Sequence, residues 1–223
     1  MIKISERLKS ISEFIEDNTN ILDIGCDHGL LDIYLMQNKN NINITATEIN
    51  KEALNNAIKN FKKNKLDNKI KTIHTNGLDN IDTTNINTII IAGMGSHTIV
   101  GILYKNIKKL KNIDNLILQS NNDIDFLRKK ITKIGYYIEK EKLIKDKNII
   151  YTIIQFKKGR KIYNRKQLYF GPYLLKENSI LFKDKNKEDL IKLNKIYKLI
   201  PKKYILYKIK TLYKINLYKN LPK

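Results

Sequence analysis

The run Asp23-Ile24-Gly25-Cys26-Asp27-His28-Gly29 places two glycines, two carboxylates and an imidazole between an apolar stretch and an amphipathic one. A plain connection needs a single glycine or asparagine. Glycine lets the backbone approach a ligand closely, and the charged groups say what kind of ligand fits. The three-glycine dinucleotide fingerprint G-x-G-x-x-G is missing, because Asp27 stands where its second glycine would be. A pyrophosphate needs free N–H groups and no carboxylate beside them. A turn carrying Asp27 suits a ligand with positive charge, such as an α-amino group or a sulfonium.

Four further clusters belong with this turn. Glu48, at the end of the predicted second strand in "TATEIN", lies 21 residues beyond Asp27, close to the roughly 20-residue offset at which an acid meets ribose hydroxyls in α/β nucleotide folds. Asn76-Gly77 in "HTNGLDNI" offers a carboxamide and backbone groups to an adenine edge. Gly93-Met94-Gly95, followed by Ser96 and His97, again permits close backbone approach, now where a substrate base would stack. Gln119-Ser120-Asn121 supplies two carboxamides able to pair with the Watson–Crick edge of a base. S-adenosylmethionine carries both an α-amino group and a sulfonium and has no phosphate, so it suits the Asp23–Gly29 turn better than a nicotinamide dinucleotide does. Cys26 reads as a small packed side chain rather than a nucleophile. The three histidines and one cysteine have no metal-ligand spacing, so no metal is expected.

These clusters share one position in the pattern: each follows a predicted strand. Ile4–Ile15 reads as a leading amphipathic helix. Strands are expected at Ile21–Gly25, Ile42–Thr47, Ile70–His74, Thr88–Ala92 and Leu116–Gln119. Helices are expected at Leu30–Gln37, Lys51–Asn64, Ser96–Leu110 and Ile124–Ile134. Two longer strands, Tyr136–Ile144 and Ile149–Phe156, flank the polar turn Lys145–Asn148 as an antiparallel hairpin. Repeated strand–helix units imply a mostly parallel sheet covered on both faces, here seven-stranded with one antiparallel strand. Ligands of such sheets bind beyond the carboxyl ends of the strands, where strand order reverses. All five clusters should therefore surround one cleft.

After Phe156 the character changes. Residues 157–223 hold 20 Lys/Arg and 4 Asp/Glu, whereas residues 1–156 hold 23 and 18. Compositional drift would spread the excess evenly, so this concentration points to a polyanionic partner. Lys157–Gln167 reads as a basic linker and Leu168–Leu175 as an apolar turn around Gly171-Pro172. Two helices follow, about Leu181–Ile200 and Tyr204–Tyr218, separated by Pro201. Leu190, Leu193, Ile196, Tyr197 and Ile200 make one apolar stripe. Ile205, Ile209, Leu212 and Tyr213 make another, as in an antiparallel helical pair or short coiled coil. The expected division is therefore 1–156, an α/β domain, and 157–223, a small all-α basic domain. A single cysteine fits a reducing cytosol. The N-terminus lacks the apolar run of a signal peptide, and the longest apolar run is too short to span a membrane. A cytoplasmic location with no membrane contact follows, and a monomer is compatible with the sequence.

The segments "DIGCDHG", "TNGL", "IAGMGS", "LILQSN" and "LYFGPYLL", in this order and at these separations, resemble the bacterial tRNA (adenine-22-N1)-methyltransferase family across nearly the whole chain. The resemblance implies a Rossmann-like class I fold that binds S-adenosylmethionine, with a C-terminal coiled-coil-like domain that grips tRNA. It implies methylation of N1 of adenine 22. It assigns Asp23, Gly25, Asp27, His28 and Gly29 to the cofactor loop and Glu48 to the ribose. Asn76 and Gly77 fall beside the cofactor adenine. Gly93, Met94 and Gly95, with Gln119 and Asn121, border the target base, and Asp27 is the candidate for stabilising the cationic product. Two departures stand out. Where members commonly carry Tyr-Leu-Pro, this chain has Leu30-Leu31-Asp32, and Ser120 stands where Pro is usual. The competing readings are a non-enzymatic RNA-binding protein with a vestigial cofactor pocket, and a methyltransferase acting on another RNA base.

Overall fold

The computed structural model describes residues 2–221. The chain forms two units, Met1–Tyr163 and Asn164–Lys223. The first is built on one seven-stranded sheet of order β3-β2-β1-β4-β5-β7-β6. Its strands are β1 (Asn20–Ile24), β2 (Asn43–Glu48), β3 (Ile70–His74), β4 (Thr88–Met94), β5 (Asn115–Ser120), β6 (Tyr136–Asp146) and β7 (Ile149–Lys158). Strands β1 to β5 pair in parallel, and β7 runs antiparallel to both β5 and β6. The sheet is thus the mostly parallel, single-antiparallel-strand α/β sheet expected from the strand–helix alternation. Its central strands are continuous apolar runs, with Leu22, Ile89, Ile90, Ile91, Leu116 and Leu118 fully buried, as a sheet covered on both faces requires.

Helices α1 (Glu6–Ser12), α2 (Leu30–Asn38), α3 (Lys51–Lys63), α4 (Ser96–Lys105) and α5 (Ile124–Lys133) cover the sheet. The leading helix is shorter than its apolar pattern suggests. Ser5 caps it by accepting the Leu8 N–H, and the chain turns after Ser12, so Phe14 and Ile15 reach the core from outside the helix. Helix α4 likewise ends at Lys105 and continues as a 3-10 turn over Ile107–Asn112. The order of strands reverses between β1 and β4, which puts the topological switch point at their carboxyl ends.

One charged pair anchors the antiparallel edge. Arg128 on α5 donates from Nε to Glu141 Oε1 on β6 at 2.7 Å, and both side chains are buried. Strand β7 continues to Lys158, and the Tyr163 hydroxyl both accepts from the Ile138 N–H and donates to its carbonyl. The basic segment 157–163 therefore stays with the sheet.

The second unit is helical: α6 (Arg165–Phe170), α7 (Pro172–Glu177), α8 (Ile180–Leu199) and α9 (Ile205–Lys219). The expected apolar turn at Leu168–Leu175 is instead the junction of two short helices. Asn164 and Gln167 form a capping box on α6, and Gly171, at φ +97°, breaks it from α7 with Pro172 at the next helix start. The helical pair α8–α9 is present, but α9 shows a different face from the one expected. Ile205, Ile209, Leu212 and Tyr213 are each at least 41% exposed, while Thr211 and Ile215 are buried. The rotation is set by Tyr218, whose ring stacks edge-on against Tyr169 and Phe170 at centroid distances of 5.7 and 4.9 Å. Residues 211, 215 and 218 follow i, i+4, i+7 spacing, so burying Tyr218 brings that stripe inward. No helix among the described residues is long and apolar enough to cross a membrane.

Removing one member of a buried ion pair strands the other charge. Arg128→Ala should lower the unfolding free energy by about 3–5 kcal/mol, read as a lower urea midpoint. Replacing both Arg128 and Glu141 by apolar residues of similar volume should recover most of the loss.

Candidate active site

The β1–α2 loop is built by three left-handed residues in alternation: Gly25 (φ +79°), Asp27 (φ +52°) and Gly29 (φ +69°). The loop's first three amides are taken by the neighbouring strand. The Gly25 and Cys26 N–H groups both donate to the Thr47 carbonyl, at 2.8 and 3.0 Å. The Asp27 N–H donates to Glu48 Oε2 at 3.2 Å, and the Gly29 N–H closes the turn on the Cys26 carbonyl. Glu48 Oε1 accepts the Ile49 and Asn50 N–H groups, both at 2.8 Å. Glu48 is thus a buried carboxylate fixed by three backbone donors. A β-carbon on Gly29 would lie 2.4 Å from the Phe61 ring, so the loop closes tightly on α3. Asn60 of the same helix holds the His28 carbonyl at 2.9 Å.

Above this loop lies a cleft of about 320 Å³. Asp23, Gly25, Cys26, Asp27 and His28 line it from β1 and its loop, Glu48 from β2, and Ala92, Gly93 and Met94 from β4. The register of β4 against β5 shifts at Gly93 (φ +81°), which aims Met94 across the cleft. The Met94 methyl lies 2.3 Å from where a β-carbon on Gly25 would sit, so only glycine leaves room there without moving it.

The floor is acidic. Asp23 and Asp32 are buried, with relative exposures of 4% and 0%. No N–H or O–H of another residue reaches either oxygen of Asp32; it faces the carboxyl of Asp23. Two carboxyls so placed hold together through a proton. Burial, chiefly, and the Asp23 charge push Asp32 well above the ordinary range. Burial raises Asp23 to about 7, with the Asp32 hydrogen bond opposing and the Glu48 charge adding to the rise. Burial and the same three carboxylates push the Cys26 thiol far up, which leaves it no thiolate character near neutral pH. Asp27 and His28 stand apart from this floor, exposed at the rim with His28 Nε2 3.5 Å from Asp27 Oδ1.

The opposite wall is a polar network joining three elements. Arg7 on α1 donates to Gln119 Oε1 at 2.6 Å, and its guanidinium lies over the Tyr151 ring. The same Gln119 oxygen accepts the Gly93 N–H, while its Nε2 donates to Asn121 Oδ1 at 3.1 Å. Asn121 then donates to the Gly93 carbonyl at 2.6 Å. Ser120 ties the end of β5 to the Met94 and Asn122 carbonyls and to the Ser96 hydroxyl.

This loop is unlike a phosphate cradle, because four of its N–H groups are already spent on the protein. Its free functionality is carboxylate. A sequence model of the tRNA (adenine(22)-N(1))-methyltransferase family, TrmK, matches residues 21–219. The chain belongs to that family. It is 28% identical over 205 residues to the tRNA (adenine(22)-N(1))-methyltransferase of Bacillus subtilis, covering 89% of this chain and 86% of that one. Two solved relatives have cofactor forms bound. Sp1610 of Streptococcus pneumoniae, a putative tRNA (m1A22) methyltransferase in complex with S-adenosyl-L-methionine, aligns with a TM-score of 0.90 at 30% identity. The match spans 98% of this chain and 99% of that one. TrmK of M. capricolum, in complex with the product S-adenosyl-homocysteine, aligns with a TM-score of 0.86 at 32% identity, spanning 97% and 96%.

Of the residues singled out in sequence, Asp23, Gly25, Asp27, His28, Glu48, Gly93 and Met94 line the one cleft. Gly29 lies beneath the loop against Phe61, and Gly95 starts α4 beside Asn122. Asn76 and Gly77 follow the tip of β3, next to β2, where Thr75 donates to the Glu48 carbonyl. Gln119 is fully buried behind the wall, and Asn121 is exposed at its edge. Arg7 and Leu8 of the leading helix also line the cleft, as do Leu30 and Leu31; no motif marked Arg7. The second buried acid, Asp32, was visible only as a charged residue in an apolar helix start.

The raised acids carry a sign. A carboxyl whose folded value lies above its unfolded one stabilises fully below the unfolded value, near 4. That stability is lost as pH climbs through about 7. Asp32→Asn keeps the shape and supplies an N–H donor to Asp23. The variant should melt with the native protein at pH 4 and several degrees above it at pH 8, by calorimetry. Equal melting temperatures at both pH values would rule out the shared-proton pair.

Proposed function

We propose that this protein transfers a methyl group from S-adenosylmethionine to N1 of adenine 22 in tRNA. The observation that carries the reading is the acid-lined cleft at the β1/β4 switch point, whose loop spends the Gly25, Cys26, Asp27 and Gly29 N–H groups within the protein. Family membership supports it across nearly the whole chain. The relatives bound to S-adenosyl-L-methionine and to S-adenosyl-homocysteine support the choice of cofactor.

The residues present fit that cofactor. Glu48, fixed by three N–H donors, keeps lone pairs for ribose hydroxyls. Asp23 meets a cationic amino group from the floor. The glycine backbone at 25 and 93 allows close approach of the ligand chain. Asn76 and Gly77 stand at the β3 tip for the adenine ring. When bound, S-adenosylmethionine supplies an electrophilic sulfonium methyl.

Adenine N1 holds its lone pair in the heterocycle and is unprotonated at neutral pH, so no strong general base is required. The chain's task is alignment, exclusion of water and negative potential. Alignment alone can lower the barrier by roughly 7–11 kcal/mol. N1 lies on the Watson–Crick edge, so the base must be flipped out of any pair. Met94 and Leu30 offer apolar surface at the cleft for it. Asn121 borders it, with its carboxamide oriented by Gln119 and the Gly93 carbonyl. Gln119 is a positioning residue, since its acceptor is held by Arg7 and Gly93. Methylated adenine is cationic, and Asp27 at the rim stabilises that charge as it forms. Lysines of the helical unit hold the tRNA backbone.

The decisive experiment is nucleoside mass spectrometry of unmodified tRNA after incubation with the protein and S-adenosylmethionine, with reverse-transcription stops to place the modification. 1-Methyladenosine at position 22 is expected. Its absence, with folded protein and intact tRNA, would return the choice to a non-enzymatic RNA binder. Asp27→Asn should lower turnover at saturating S-adenosylmethionine by about tenfold or more. Replacing Lys208, Lys210 and Lys214 together by Gln should weaken tRNA binding and flatten its salt dependence, while S-adenosyl-homocysteine affinity stays constant.

A further inference from the structure

We propose that a pocket within the helical unit takes one unstacked base of the tRNA, its edge on the carboxamides of Asn178 and Asn186 and its adjoining phosphates on Lys183, Lys187 and Lys219. The inference rests on the reading above that this chain acts on tRNA. The pocket measures about 410 Å³ and lies between the start of α8 and the end of α9, a size typical of small-ligand sites. Asn178 ends α7 in a left-handed conformation (φ +48°), one residue before Ser179 caps α8. Phe182, Asn186 and Leu190 follow along α8 at i, i+4 and i+8, so a single stripe of that helix lines the pocket. Tyr218 lines it from α9. All these residues belong to the helical unit, so the site is separate from the cleft that takes the methyl-accepting adenine.

Two polar atoms distinguish this pocket from a plain gap between helices. Asn186 is only 9% exposed, and its Nδ2 has no hydrogen-bond partner in the protein. Asn178 Oδ1 is buried without one as well. Carboxamide atoms left so are costly, and an apolar side chain at 186 would avoid that cost. Together the two asparagines offer one donor and one acceptor beside the apolar surface of Phe182, Leu190 and Tyr218. A purely apolar ligand would leave both unpaired. A nucleobase edge carries the complement of both, as adenine does with its N7 acceptor and N6 donor, and its ring packs well on aromatic and aliphatic side chains. Charge then selects the form in which the base arrives. Lys183 and Lys187 stand one helical turn apart on α8, and Lys219 ends α9; all three are exposed. None of them is in an ion pair among the described residues. Three unpaired cations around such a pocket suit a base flanked by phosphates. Inside a duplex the faces and pairing edge of a base are already engaged, so a loop nucleotide supplies it.

The test is filter binding of an unmodified tRNA transcript to the full chain, from about 50 to 200 mM salt. Asn178→Gly keeps the left-handed backbone, and Asn186→Leu removes the orphaned amide, so the double variant should melt close to the native protein. Its Kd for tRNA should be about tenfold larger at every salt concentration. Its salt slope should not change, because no phosphate contact is lost. On a fully paired RNA duplex of equal length it should match the native protein. Replacing Lys183 and Lys187 together by Gln should instead reduce the salt slope by about 1 to 2. A carboxamide variant that melts normally and binds tRNA within about twofold of the native protein overturns the proposal. An equal loss on tRNA and on duplex does the same. The exposed lysines carry the test even where the buried change unfolds the unit: an unchanged slope takes the phosphates away from this pocket and overturns the proposal. Calorimetry with the four nucleoside 5′-monophosphates covers the other source of the same chemistry. A Kd below about 100 µM for any of them, lost in the carboxamide variant, would assign the pocket to a free nucleotide and overturn the tRNA assignment. Native protein that binds S-adenosyl-homocysteine but no tRNA would instead remove the tRNA reading itself, and this site with it.

Discussion

Everything at the cleft depends on how β2 consumes the amides of the loop after β1. Gly25 and Cys26 give their N–H groups to Thr47, and Asp27 gives its own to Glu48. Those are the donors with which a glycine-rich loop of this kind would otherwise cradle phosphate. Spending them internally leaves a loop that offers carboxylates and carbonyls to the cleft. The same bonds hold Asp27 in a left-handed conformation, a strain of about 1–3 kcal/mol for a non-glycine residue. They also fix Glu48 in one rotamer, where a free strand-end glutamate would sample several. One set of hydrogen bonds thus decides both the shape of the loop and the charge of the ligand it can accept.

The far wall follows the same logic with a different chemistry. A glutamine with no solvent exposure must find protein partners for its carboxamide. Gln119 does so by linking α1, β4 and β5 through Arg7, Gly93 and Asn121. Because Gly93 sits at the register shift of β4, this linkage also holds the bend that aims Met94 over Gly25. Ser120 adds bonds from the β5 tip to the same segment, which a proline at that position could not make. The two departures from the family pattern therefore have different consequences. Ser120 reinforces the wall, whereas Asp32 puts a second acid beneath the floor and Leu30 lines the cleft with an aliphatic side chain.

The alternation of strands and helices, the single antiparallel strand and a cleft at the carboxyl ends of the strands were legible because parallel strands and crossover helices leave strong periodic signals, whereas the strand order and its reversal at β1/β4 depend on long-range pairing. Asp23, Asp27 and Glu48 were legible because glycines and acids at strand ends have few purely structural uses. Arg7 was not, since it reaches the cleft from a helix lying over a hundred residues from Gln119 in sequence. Gln119 was expected to face a base; its burial depends on the depth of β5 in the sheet, which local sequence does not encode. Asp32 looked like an ordinary helix-start acid, a position the helix dipole favours, and only the packing of α2 on β1 turns it inward. In α9 the apolar residues outnumber what one face can hold. Periodicity alone cannot say which stripe is buried, and the Tyr218 ring contacts, long-range in origin, decide it.

The helical unit reverses the electrostatics of the cleft. An i, i+4 ion pair joins Lys185 to Asp189 on α8, but four acids in residues 164–223 face 16 basic residues, so most of its lysines repel one another. Such helices lose stability to self-repulsion unless something else offsets it. The aromatic cluster of buried Phe170 and Phe182 with half-buried Tyr169 and Tyr218 supplies part of that offset from within. On the proposed function, a polyanion bound to these lysines would supply the rest from outside, its affinity gained from the same unpaired charge that weakens the free unit. Excess lysine would then be costly to the isolated fold and productive with nucleic acid bound. An acidic cleft would admit a small cation while the phosphate backbone is left to the lysines, so that the two ligands would not compete for the same charges.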